Sequence, residues 1–152
     1  MLQDFRRDIT VTADLASTWQ KLLDVSTVAS WVSIVEDVKE IDPLRRFTAV
    51  LQDRMGPFKL RADLSIDVLE IEEGSRIRIK AGGQDRQVRS RISVEAELSI
   101  ENEENGSRVT VEGTYEVTGR VATLGAGSIR KKATGILDEF FQHLTQELGG
   151  SR

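Results

Sequence analysis

Two charged side chains stand where the strand pattern of this chain expects apolar ones. They are Arg7, between Phe5 and Ile9, and Asp53, between Leu51 and Met55. An inward charge is costly unless it is paired. Each therefore either orients the polar end of something held inside, or sits at an edge or bulge that returns it to water. Tyr115, the only tyrosine, also falls at an inward position and carries a hydroxyl into apolar surroundings. His143 is the only histidine, which rules out a metal site built on several histidines and a two-histidine relay. It lies at the edge of an apolar helical stripe and reads as a packing residue near a helix end. The absence of cysteine removes disulfides, thiolate metal ligands and a cysteine nucleophile. Asp63, Asp67, Glu95, Glu97, Glu112 and Glu116 fall at outward strand positions, where they are solvated or pair with Arg and Lys across strands. An acid/base dyad would need carboxyls converging in a desolvated pocket. No catalytic residue, metal ligand or cofactor is assigned.

Glycine and basic clusters offer two further readings each. Gly82-Gly83-Gln84-Asp85 joins two strands without a helix N-terminus behind it, so it reads as a hairpin loop rather than a phosphate cradle. Gly125, Gly127 and Gly135 fall in a helical stretch, where each costs about 1 kcal/mol relative to Ala. Either close packing against a sheet or a helix loosened to admit a bulky ligand accounts for them. Arg130-Lys131-Lys132, with Arg120 nearby, is a basic run on a chain of net charge −4. It is either a solvated helix face or a contact for anionic headgroups or an acidic partner.

The elements that must position these residues follow from periodicity. From Phe47 the apolar residues alternate with period two, most clearly from Phe58 to Leu69, where Phe58, Leu60, Ala62, Leu64, Ile66 and Val68 share one face. Such alternation marks an antiparallel sheet with one wet face. From Ile129 the period changes to 3.6, with Ile129, Ala133, Ile136, Leu137, Phe140, Phe141, Leu144 and Leu148 on one helical face. Upstream lie a strand over Phe5 to Val11, a short helix capped by Asp14, and a second short helix over Asp24 to Trp31. The order is β-α-α, then six strands, then one long helix: a single α+β domain spanning 1–152. No apolar segment approaches the roughly 18 residues of a membrane span, and no secretory h-region opens the chain. The expected location is cytoplasmic, at most peripheral to the inner face of a membrane. The acidic balance argues against nucleic acid as a partner.

That order resembles the helix-grip fold of the START-like (SRPBCC) superfamily, which implies a curved antiparallel sheet of about seven strands gripping its C-terminal helix. Met55-Gly56-Pro57-Phe58-Lys59 resembles the V-G-P-(I/F)-K turn of the CoxG family, the G subunits of carbon monoxide dehydrogenase. Gly119-Arg120-Val121-Ala122-Thr123-Leu124-Gly125 resembles that family's G-x-(L/V)-A-x-L-G entry into the terminal helix. Val11-Thr12-Ala13-Asp14, leading to Trp19 and then Asp24 to Ala29, is similar to its opening. One departure stands out: Trp31-Val32-Ser33-Ile34 replaces the Cys-Leu-Pro-Gly usual after the second short helix. The resemblance implies an accessory factor for molybdenum hydroxylases, linking them to the membrane or its quinones.

A long apolar helix over the concave face of a sheet is expected to leave a cavity. Its lining should be Leu51, Leu60, Leu64, Ile79, Ile92, Val94, Tyr115, Ile129, Ala133, Ile136 and Phe140. Such walls suit a lipid, a quinone or an aromatic small molecule, with Arg7 or Asp53 contacting a polar head. Two alternatives stand beside this. One is a cyclase- or hydrolase-like enzyme using Arg7, Asp53 or Tyr115 as acid or base; the other is a protein-interaction module whose core is filled.

Overall fold

The computed structural model describes residues 1–149. Seven strands, β1 (Leu2–Val11), β2 (Val35–Asp42), β3 (Arg46–Met55), β4 (Phe58–Glu72), β5 (Arg76–Asp85), β6 (Ser90–Glu103) and β7 (Gly106–Gly119), form one antiparallel sheet. Helices α1 (Leu15–Leu23) and α2 (Val25–Ser30) follow β1, and a 3-10 turn (Arg120–Leu124) leads into α3 (Ala126–Leu148). The strand order is β1-β7-β6-β5-β4-β3-β2, so every hairpin neighbour pairs and β1 closes onto β7. This is the α+β helix-grip architecture. Among the described residues no helix is long and apolar enough to cross a membrane.

Local chemistry explains where elements begin and end. Asp14 caps α1 by accepting the Ser17 N–H at 2.7 Å, and Asp24 caps α2 from the Thr27 N–H at 3.3 Å. In β4, Leu60, Ala62, Leu64, Ile66 and Val68 are buried while Lys59, Arg61, Asp63 and Ser65 are exposed, as strict alternation dictates. The edge strand β2 is broken by register shifts and studded with Glu36, Asp37, Lys39 and Glu40, which discourages pairing with another chain.

The Gly82-Gly83-Gln84-Asp85 segment is not a loop. It forms the end of β5, with Gly83 opposite Ile92 and Gln84 opposite Arg91, and the reversal lies at residues 86–89. The reason is close approach: a Cβ on Gly83 would stand 2.6 Å from the Asp63 carbonyl oxygen, so glycine lets β5 lie tight against β4.

Asp85 holds that end of the sheet together. Its buried carboxylate accepts the backbone N–H groups of Arg61 at 2.7 Å, Gln87 at 2.9 Å and Val88 at 3.1 Å. Burial pushes its pKa up, but the three amides together outweigh burial and hold it below the ordinary 3.8. A carboxylate depressed in the folded state adds stability above its unfolded value, and that stability is lost as the pH falls through the folded value. Asp85→Ala should therefore cost about 2 kcal/mol at neutral pH through orphaned amides. Urea melts at pH 7 and pH 3 check this: the gap to the wild type should narrow at the lower pH.

Candidate functional site

Helix α3 is fastened at its ends. Phe140, Phe141, Leu144 and Leu148 are buried at the C-terminal end, and Ile129 at the other. The Ala13 and Thr12 N–H groups donate to the carbonyls of Leu148 at 3.0 Å and Gly149 at 2.7 Å, tying the helix end to the β1–α1 loop. Between these anchors Ala133, Ile136 and Leu137 are only partly buried and face open space. The result is a cavity of about 300 Å³ between α3, α2 and the concave side of the sheet. That size is at the lower end of small-molecule sites.

Its walls contain Leu51, Leu60 and Leu64 from β3 and β4, Ile79 from β5, Ile92 and Val94 from β6, and Tyr115 from β7. Ile129, Ala133, Ile136 and Phe140 close it from α3. Strand alternation and the helical period thus bring all of the expected lining residues to one space. The expected lining did not include the wall from α2 and the segment after it: Val25, Val28, Ala29, Val32, Ile34 and Val35. The spacing of Val25, Val28 and Ala29 puts them on the inward side of a short helix, but a period of so few turns does not tell packed core from cavity wall. Trp31, in the segment that departs from the expected Pro-Gly turn, is buried and meets Phe140 edge-on at 5.7 Å.

The polar exceptions behave differently from one another. Arg7 faces inward but does not line the cavity. It pairs with Asp138 of α3 and lies over the Phe141 ring, 5.8 Å from its centre, clamping the helix to β1. Asp53 does line the cavity, with its side chain only 11% exposed. Its Oδ1 accepts the Lys132 ammonium at 3.0 Å and the Arg54 N–H at 2.8 Å. Lys132 therefore belongs to the cavity rim rather than to a solvated basic run. The spacing held the signal: Lys132 follows Ile129 by three and precedes Ile136 by four, which puts it on the apolar stripe.

Two buried oxygens at the cavity residues have no hydrogen-bond partner: Asp53 Oδ2 and the Tyr115 hydroxyl. Burial pushes the Tyr115 hydroxyl pKa up, and the Arg130 charge pulls it partly back. A neutral phenol is therefore the form present around neutral pH.

The other candidates for chemistry disperse. His143 is exposed on α3. Asp67 pairs with Arg46, Glu97 with Arg76 and Glu112 with Arg6, while Asp63, Glu95 and Glu116 are exposed. No three potential metal ligands gather among the described residues. Gly125 stands just before α3 rather than within it, at a φ of 92° that favours glycine, while Gly127 and Gly135 are helical; a Cβ at any of the three would meet nothing within 4 Å, so close packing explains none of them. Gly135→Ala should accordingly stabilise α3 by about 1 kcal/mol, and thermal melts check it. If the glycine serves to loosen the helix over the cavity, the same variant should also take up an apolar ligand more slowly.

Comparisons with known proteins agree with this fold. The family model for the G subunit of carbon monoxide dehydrogenase (CoxG) matches residues 8–149. A conserved protein from Geobacillus kaustophilus is similar in structure at a TM-score of 0.80 and 18% identity, over 97% of this chain and 95% of its own. An uncharacterised protein from Rhizobium leguminosarum gives a TM-score of 0.68 at 15% identity, over 96% of each chain. A protein from Thermus thermophilus gives 0.62 at 17%, over 96% of this chain and 94% of its own. At such identities these likenesses speak for the fold. No curated protein matches the chain by sequence.

Proposed function

Because the chain belongs to the CoxG family of carbon monoxide dehydrogenase G subunits, we propose that it serves a hydroxylase of that type by carrying a hydrophobic ligand in the cavity beneath α3. The observation that supports this best is a hollow of about 300 Å³ with almost entirely apolar walls at the one place where the long helix is not packed down. A cavity of this kind, lined by Leu, Ile and Val, gains free energy by removing apolar ligand surface from water. A lipid, a quinone or an aromatic molecule fits that chemistry. Titration with the neutral dye N-phenyl-1-naphthylamine tests it. Saturable binding of one dye per protein, with a blue-shifted emission, is expected; unsaturable or absent binding contradicts the carrier reading.

Catalysis is the weaker reading. Arg7 is engaged by Asp138, and Asp53 is engaged by Lys132. Neither stands free as an acid or base beside Tyr115.

The partner reading draws on charge. Arg54, Lys59, Arg61, Arg86, Arg89, Arg91 and Arg120 are all exposed at the end of the sheet where β3, β5 and β7 finish. None of them pairs with a carboxylate among the described residues, whereas Arg6, Arg46, Arg76 and Arg108 elsewhere on the sheet do. Uncompensated charge of one sign on an acidic chain steers an oppositely charged surface toward that end. Arginine outnumbers lysine there, which suits forked contacts to carboxylates of a partner protein, here a molybdenum hydroxylase, more than diffuse attraction to lipid. We place the protein in the cytoplasm, with peripheral contact at the inner face of the membrane through that partner. Arg61→Glu with Arg91→Glu should abolish salt-sensitive association with the hydroxylase. The same reversal at Arg6 and Arg108 should leave it intact.

A further inference from the structure

Asp53 Oδ2 carries information about the ligand. The Asp53 carboxylate stands inside an apolar wall, and its Oδ1 is already satisfied by Lys132 and by the Arg54 N–H. Its Oδ2 is sealed from water with no donor. A buried carboxylate oxygen left in that state is costly, and the group that would relieve it is a hydrogen-bond donor, because an ionised carboxylate only accepts. Lys132 balances the charge of Asp53, so the pair as a whole is neutral.

We propose, resting on the carrier reading above, that the cavity selects ligands whose polar end is a neutral hydroxyl, an alcohol or a phenol, over ligands that end in a carboxylate. A small rotation of the Asp53 side chain is needed to turn Oδ2 to the cavity surface, where a ligand hydroxyl then donates to it and completes the carboxylate's partners without adding charge. A ligand carboxylate would bring a second negative charge against Asp53, and the cation that would offset it is already engaged. It would also lose its own hydration on entering walls of Leu, Ile and Val. An ammonium end would supply a donor but would place a second positive charge beside Lys132, with Arg130 near the same cavity. A carbonyl end offers no donor and leaves Oδ2 as it was. The Tyr115 hydroxyl, also buried and unpartnered, can donate as well as accept, so it tolerates all of these heads and does not discriminate among them.

The test is displacement of bound N-phenyl-1-naphthylamine at pH 8 by 1-decanol, decanoate and decylamine, which share one chain length. Decanol should displace the dye at a concentration at least tenfold lower than decanoate or decylamine. In Asp53→Leu with Lys132→Leu, which removes the pair together and avoids leaving one buried charge alone, the preference should shrink at least threefold and keep only the part set by desolvating an ion among apolar walls, with the melting temperature reporting that the variant is folded. Decanoate or decylamine equal to or better than decanol, or an alcohol preference undiminished in the double variant, overturns the hydroxyl selection and leaves the carrier reading standing. If neither the dye nor any of the three probes binds, the carrier reading itself fails.

Discussion

Ala133→Trp should abolish ligand uptake without weakening the fold. Ala133 lies midway along the unpacked stretch of α3 and faces the hollow. An indole placed there occupies the space a ligand would use. Dye affinity should fall at least tenfold, a change of about 1.4 kcal/mol or more. Stability should stay within about 1 kcal/mol of the wild type, since the new side chain enters open volume. A filled core responds otherwise: forcing a large group into close-packed side chains costs about 1–3 kcal/mol. Val94→Phe approaches from the opposite wall on β6 and should give the same pair of results. Urea denaturation and dye titration of both variants therefore separate a hollow domain from an interaction module with a packed interior.

Phe140→Ala should be the most damaging single change of those considered. Phe140 is buried, meets Trp31 edge-on at 5.7 Å and Phe141 at 5.5 Å, and begins the stretch of α3 that is packed down. Its removal leaves a hole that neighbours on a helix and on the α2–β2 segment cannot both close. Large-to-small changes at such sites cost about 3–5 kcal/mol. In a chain of 152 residues that lowers the melting temperature by roughly 10 °C. Trp31→Ala attacks the same contact from the other side. The two losses should add to less than their sum, because each removes the same aromatic pair. Calorimetry of the two single variants and the double variant checks both the magnitude and the coupling.

The parts of the fold that repeat were legible in the residues. Alternation along β4 and the three-four spacing from Ile129 are long enough to fix which side chains face inward, and the lining residues of β3 to β7 and α3 follow from parity alone. Short or irregular pieces were legible only in part. Helix α2, Val25–Ser30, was legible as a helix with an inward side, but it is too short for its period to mark that side as a wall of the cavity. Gly82 and Gly83 carry the composition of a turn, yet their lack of side chains serves a tight strand contact. Lys132 was hidden by its neighbours: beside Arg130 and Lys131 it looks like part of a solvated run, although its phase on the helix points inward. Arg7 and Asp53 have the same inward phase on their strands, but only the three-dimensional arrangement separates a clamp on the helix from a residue of the cavity. Sequence parity places a side chain on a face; it does not say what stands opposite.

Native mass spectrometry of the gently purified protein, followed by organic extraction, tests the central claim most directly. The expected result is a mass above that of the chain alone, resolved on extraction into one apolar small molecule, and absent from Ala133→Trp purified in the same way. A clean mass that stays clean after incubation with lipids, quinones and long-chain alcohols would contradict it, and the cavity would then be a packing defect rather than a binding site.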